Sequence, residues 1–362
     1  MQRRTFLASA SLLAFNSAEA EVKTKAPATE SSTRGIGGLR ACSNPARIEF
    51  GCAVTAEALR TSMSLRQALL RECSILSFER ELKWLLLAPQ RGQWDYGRAD
   101  TIADFCRHNQ MKARGHAPLW HAGMPSWING TINRKDLWRE IEAYFSNVVD
   151  RYGDIIDSWD VVNEALEQNG NRAGALREGL LSHILGDDYI ASAFILAKQL
   201  APAIPLVYND FGPEYSFTKT RSILRLLEGL KRKEIPVARF GLQAHLSTTM
   251  KIDQLSLKTL ARELQAMNID LIITELDIRN RSAFLDEAGV NNVCANKVRE
   301  FLEPIFSIAA PRQIVTWGLL DGYSWLSSKM YKTNSLPQRP LPLDENGKRK
   351  PMWSVLRQFL CG

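Results

Sequence analysis

A repeated rhythm constrains this chain more than any other feature. From about Arg47 to the C-terminus, short apolar runs rich in β-branched residues alternate with segments of helical periodicity. Eight runs read as strands: Ile48–Val54, Ile75–Phe78, Met111–Leu119, Ser158–Asn163, Pro205–Asn209, Phe240–Ala244, Leu271–Leu276 and Ile314–Leu319. Helical segments between them include Ala99–Asn109, Asp136–Tyr152, Asp188–Leu200, Thr218–Lys233, Leu257–Met267 and Asn296–Ile308. Strands separated by helices return in the same direction, so they pair in parallel. Eight such units predict a single (β/α)8 TIM barrel over residues 47–362, and no GxGxxG follows the first run to favour a nucleotide-binding open sheet. The 362 residues, 45% hydrophobic and 23% charged, can fill such a core, and this composition excludes a disordered or collagen-like chain.

The first twenty residues read as an address. Arg3 and Arg4 precede an apolar stretch from Phe6 to Phe15, and Ala18-Glu19-Ala20 supplies a small-x-small cleavage pattern. The stretch is too short to span a bilayer. The paired arginines followed by Thr5-Phe6-Leu7 predict a twin-arginine export signal over residues 1–20, with an ordinary secretory signal as the alternative. Either route carries the protein to the periplasm or the medium. Residues 21–46, rich in Ala, Thr, Ser and Gly, are expected to form a flexible linker.

Charge and cysteine exclude several functions. The formal charge is +7, but Lys231-Arg232-Lys233 and Lys348-Arg349-Lys350 have no interleaved aromatics to stack on bases, so both read as solvated surface. Neither a nucleic acid nor a membrane partner is expected. The six cysteines form no CxxC and no metal-ligand spacing, and their pairing is not legible. His116 and His121 stand five apart near a strand end, which does not fit a zinc-binding helix, and no GxSxG is present. No metal and no cofactor are expected, and the chain is expected to act as a monomer.

In a barrel of this kind chemistry belongs at the C-terminal ends of the strands. There the sequence places Asn163-Glu164 on the fourth, Asn209-Asp210 on the fifth, Gln243 and His245 on the sixth, Glu275 and Asp277 on the seventh, and Trp317 and Asp321 on the eighth. Glu164 and Glu275, 111 residues apart, would face each other across the mouth. Paired carboxyl groups of that kind suit glycoside hydrolysis, one donating a proton and the other remaining ionised. His245 would hold Glu275 anionic while Asp277 orients the imidazole. The apolar approach Trp159-Asp160-Val161-Val162 would desolvate Glu164 and raise its pKa. Trp120, Trp317 and Trp325 offer flat faces to sugar rings, with core packing as the competing role for each.

The motifs WDVVNEAL (Trp159–Leu166), TELDI (Thr274–Ile278), RGHAPLWH (Arg114–His121), LQAHL (Leu242–Leu246) and WGLLDGYSW (Trp317–Trp325) resemble, in order and spacing, glycoside hydrolase family 10, the endo-β-1,4-xylanases. The resemblance spans about residues 47–360. It implies a retaining endo-xylanase with Glu164 as acid/base, Glu275 as nucleophile, and Asn163 on the sugar 2-hydroxyl. It also implies that His116, Trp120, Gln243, His245, Trp317 and Trp325 line the glycone side, with Glu79, Lys83 and Asn209 as further substrate contacts. Two places depart from the pattern, the stretch Asn209-Asp210-Phe211-Gly212 after strand five, on the aglycone side, and Arg80. Arg80 stands where the family has an asparagine, and a donor-only cation cannot replace an amide. Arg80 either pairs with an acidic sugar or swings away. The alternatives are therefore the same chemistry on an acidic exopolysaccharide or another β-linked glycan, and a non-hydrolytic carbohydrate-binding protein.

Overall fold

The structure is a computed structural model and describes residues 37–43, 48–167, 175–327 and 336–362. The expected export signal and most of the expected linker lie outside the described residues. Eight parallel strands form the barrel wall: β1 (Glu49–Val54), β2 (Ile75–Phe78), β3 (Lys112–Gly115), β4 (Ile156–Asn163), β5 (Leu206–Asp210), β6 (Arg239–Leu242), β7 (Asp270–Arg279) and β8 (Gln313–Thr316). Each pairs with the next, and β8 closes on β1 with Gln313 opposite Glu49, so the sheet has no edge. The (β/α)8 barrel expected from the sequence is what forms.

Three strands end earlier than expected, the eighth of them at Thr316. The third run leaves the ladder after Gly115 and returns only at Leu119–Trp120, beside Val162 and Asn163. The sixth ends at Leu242, and His245–Ser247 then pairs with Asp277–Arg279 at the top of β7. Four helices start earlier than their apolar stripe suggests, because polar residues ahead of it cap them. Asn133, Ser216, Asp253 and Asp286 each accept a backbone N–H from three residues ahead. The last of these begins a helix over Glu287–Phe306, nine residues before the expected start.

The described segment 37–43 and the C-terminal helix are bound to the barrel. The expected linker stops short of residue 46, since Leu39 is fully buried in a short 3-10 turn and Cys42 is disulfide-bonded to Cys361 on the C-terminal helix Pro351–Cys361. A buried carboxylate fastens this seam. Glu72 accepts the Leu39 N–H at 2.7 Å, Trp353 Nε1 at 2.9 Å and Arg71 Nε at 2.6 Å. The expected solvated run at 348–350 is likewise only partly so: Lys350 is buried and donates to Asp321 at 2.7 Å, and Arg349 lies 4.0 Å over the Trp353 ring. A buried acid attracts a cation from a distant segment, a pairing that composition alone does not reveal.

Candidate active site

The residues at the strand ends meet through one hydrogen-bonded network. Asn209 on β5 sits at its centre. Its Nδ2 donates to Asn163 Oδ1 and to Glu275 Oε1, both at 2.8 Å, while its Oδ1 accepts from Thr274 Oγ1 at 2.8 Å. Register explains the placement, since Asn163, Asn209 and Gly241 lie level across β4, β5 and β6. The side chain of Asn209 occupies the space in front of Gly241, where an added Cβ would meet its Oδ1 at 2.2 Å. Only glycine fits there.

Two backbone turns aim the remaining groups. Glu164 has φ of 55° and Ala244 has φ of 64°, left-handed values that break the alternation of a strand. As a result neighbouring residues reach the same cleft. Asn163 Nδ2 and Gln243 Nε2 both donate to Glu164 Oε1, at 3.2 and 3.0 Å, and His245 Nε2 reaches Glu275 Oε2 at 3.2 Å. Such conformations cost on the order of 1 kcal/mol each and concentrate at functional sites.

The two glutamates stand in different surroundings. Glu275 is 5% exposed. Burial alone would raise its pKa, but His116, the hydrogen bond and charge of His245, and Lys83 outweigh it and bring the carboxyl to about 2. Burial also disfavours charge on His245. Asp277, 2.9 Å from its Nδ1, and Glu275 prevail and push the imidazole well above its ordinary value, so both ring nitrogens donate. Trp325 Nε1 fixes the far oxygen of Asp277 at 2.6 Å. Glu164 is half-buried and faces amide donors. It does not occupy the apolar enclosure expected from Trp159–Val162, because Trp159 packs outward against Phe145 of the neighbouring helix.

Lys83 approaches from the end of β2, its Nζ 4.6 Å from the Trp120 ring centroid and 5.9 Å from that of Trp317. Burial lowers its pKa, and the attraction of Glu275 and Glu79 partly restores it. Burial and the neighbouring Glu81 lift Glu79 to about 7. His116 packs edge-on to Trp317 with centroids 5.3 Å apart. Trp317 is buried among these rings, whereas Trp120 and Trp325 are partly open to the cleft.

Some expected rim residues serve the fold instead. Asp210 is buried against Lys219 at 3.1 Å and the Tyr208 hydroxyl at 2.6 Å. Asp321 takes the Lys350 ammonium and the Leu341 N–H. Arg80 is exposed at the rim, with its backbone N–H bonded to Glu81 Oε2. Other contributors escaped the sequence reading. Asp160, fully buried on β4, accepts from Arg114 and lies 2.8 Å from His116 Nδ1, so it sets the orientation of the ring that influences Glu275. Thr274 anchors Asn209, and Arg177 Nε donates to the Glu164 carbonyl at 2.9 Å. Asp160 lies inside WDVVNEAL and Thr274 inside TELDI; their signal was position on a strand, which identifies a role only once the neighbouring strands are in place.

Among the described residues no cluster of His, Cys, Asp or Glu could hold a metal ion, and no helix is long and apolar enough to cross a membrane. An ionised carboxylate and a second carboxyl joined by amides at a barrel mouth can carry out acid-assisted glycosyl transfer.

Comparison with known proteins agrees. The chain is 29% identical over 318 residues to endo-1,4-beta-xylanase 1 of Humicola insolens, covering 86% of this chain and 71% of that one. It is 29% identical to endo-1,4-beta-xylanase A of Thermoanaerobacterium saccharolyticum, covering 85% of this chain but only 26% of that much longer protein. The crystal structure of xylanase 10B from Thermotoga petrophila RKU-1 in complex with xylobiose superposes with a TM-score of 0.78 at 27% identity, covering 89% of this chain and 97% of that one. The profile of glycosyl hydrolase family 10 matches residues 38–358, and with this barrel and this site the chain belongs to that family.

Proposed function

We propose that the protein is an exported endo-1,4-β-xylanase that cleaves internal bonds with retention at the anomeric carbon. The observation that carries this reading is the unequal treatment of the two carboxyl groups. Glu275 is held as an anion at about 2, whereas Glu164 is half-buried, open to the cleft and joined to it through Asn163 and Asn209. In the first step the Glu275 carboxylate attacks the anomeric carbon as Glu164 gives its proton to the departing glycosidic oxygen. In the second, water attacks the resulting ester, its proton passes to Glu164, and Glu275 leaves as carboxylate. Asn163, turned toward the cleft beside Glu164, is the donor for the sugar 2-hydroxyl. The names of the relatives and the xylobiose held by a structural neighbour favour xylan as the polymer.

Export is supported by the N-terminal sequence and by the Cys42–Cys361 disulfide, a bond that persists in oxidising compartments. Incubation with linear β-1,4-xylan under proton NMR tests the reaction. Early appearance of β-anomeric reducing ends is expected, and their loss in Glu275→Gln. Early α-anomers would rule out retention, and full activity in Glu275→Gln would remove the assignment.

A further inference from the structure

We propose that Arg80 is a carboxylate receptor at the edge of the cleft, and that the preferred glycan carries an acidic sugar there. This deepens the reading of the protein as a β-1,4-glycanase and rests on it.

The turn after β2 sorts its side chains by direction. The Lys83 N–H closes it on the Arg80 carbonyl at 2.9 Å. Glu81 and Leu82 are buried beneath it, and Glu81 accepts the backbone N–H of Ala56 at 2.9 Å and of Arg80 at 3.0 Å. Glu79 and Lys83 belong to the cleft, where the charge of Arg80 acts on both. Arg80 alone in this turn stands exposed.

Its guanidinium has no hydrogen-bond acceptor and no ion-pair partner among the described residues. The carboxylates nearest in sequence are engaged elsewhere: Glu81 is occupied by two backbone donors, and Glu79 is buried in the cleft, where it acts on Lys83. Lys83 is drawn to Glu275 and Glu79, so among the described residues Arg80 is left as the unpartnered charge of this turn. A guanidinium offers a planar fork of donors that matches a carboxylate with two parallel hydrogen bonds, and it offers nothing to a hydroxyl that needs an acceptor. The matching ligand is a sugar carboxylate, borne either on a uronic acid branch or within the main chain.

The experiment compares a neutral xylo-oligosaccharide, the same backbone with one glucuronic acid branch, and a β-1,4-linked oligosaccharide with a uronic acid in its main chain. The readout is the acidic-to-neutral ratio. It is taken from kcat/KM for the native enzyme, and from dissociation constants on a Glu275→Gln background so that it is defined without turnover. An exposed charge pair predicts a ratio of about five for at least one acidic ligand, shrinking as salt screens it. Arg80→Asn should bring that ratio to about one and Arg80→Lys should keep part of it. Arg262→Asn, which removes an exposed charge from the helix Gln254–Ala266, should leave it unchanged. A ratio at or below one in the native protein, or one that survives Arg80→Asn, overturns the proposal. Absence of cleavage of all three ligands by the native enzyme, with the binding ratio intact, would instead remove the hydrolase reading and leave the receptor standing.

Discussion

Removing the imidazole of His245 should move the acid limb of the pH–rate profile while the fold stays intact. Glu275 is buried, and His116, His245 and Lys83 together reverse the effect of burial and take the carboxyl from 4.5 to about 2. At about 1.4 kcal/mol for each factor of ten, that is on the order of 3 kcal/mol in favour of the anion. His245 contributes one hydrogen bond at 3.2 Å and a charge, and about a quarter of its side chain is open to solvent (27%), so screening reduces its share to about 1–2 kcal/mol. The sign is that of a depressed carboxyl: the anion is complete above 4.5 and is lost as pH falls through about 2. In His245→Ala the same loss occurs at higher pH, and the acid limb of kcat/KM should rise by about one unit. The assay is kcat/KM on an aryl β-xylobioside across the acidic and neutral range, with circular dichroism at each pH to exclude unfolding. A variant slowed equally at every pH, with its acid limb unmoved, would show that His245 acts through shape and not through charge.

Other consequences are as direct. Burial lifts the Glu214 carboxyl to about 7, so its folding contribution is present below 4.5 and is lost as pH rises through about 7. Glu214→Gln should therefore raise the Tm in alkaline buffer and change it little near pH 4.5; an equal shift at both would contradict this. Gly241→Ala places a Cβ 2.2 Å from Asn209 Oδ1 and should displace that amide from Asn163 and Glu275, lowering kcat about a hundredfold while circular dichroism stays native. A fully active variant would show that Asn209 is not needed where it sits. The Cys42–Cys361 bond closes a loop of 319 residues, for which chain entropy allows about 6 kcal/mol of stabilisation. Cys361→Ser, or reductant on the native protein, should lower the Tm by several degrees, and an unchanged Tm would mean the seam is held by Glu72 and its partners alone.

The site is built on positions that several strands must share. Asn209 bridges β4 and β7 from β5, and Asp160 orients a histidine on the segment after β3. Each contact crosses a strand boundary, so the geometry of Glu275 depends on barrel closure more than on any single loop.

Much of this was legible in the amino-acid order because the governing forces are local or periodic. Alternating strand and helix signals imply parallel pairing, parallel pairing over eight units implies closure, and closure puts Glu164, Gln243, His245 and Glu275 on one rim. That order of inference needs only the period of the apolar residues and the length of the crossovers. The chain did not disclose where a backbone turns left-handed, as at Glu164 and Ala244, because those conformations are imposed by the network that needs them. Nor did it disclose which acids would be spent on structure. Asp210 and Asp321 look like Glu275 in the sequence, a polar residue ending an apolar strand. They differ because Lys219 and Lys350 arrive from elsewhere to neutralise them, whereas Glu275 meets His245 at the mouth. The seam between Leu39, Glu72, Trp353 and the paired cysteines was hidden for the same reason. The energy of a buried charge depends on what stands within a few ångströms of it, and those neighbours are chosen only when the whole chain has closed.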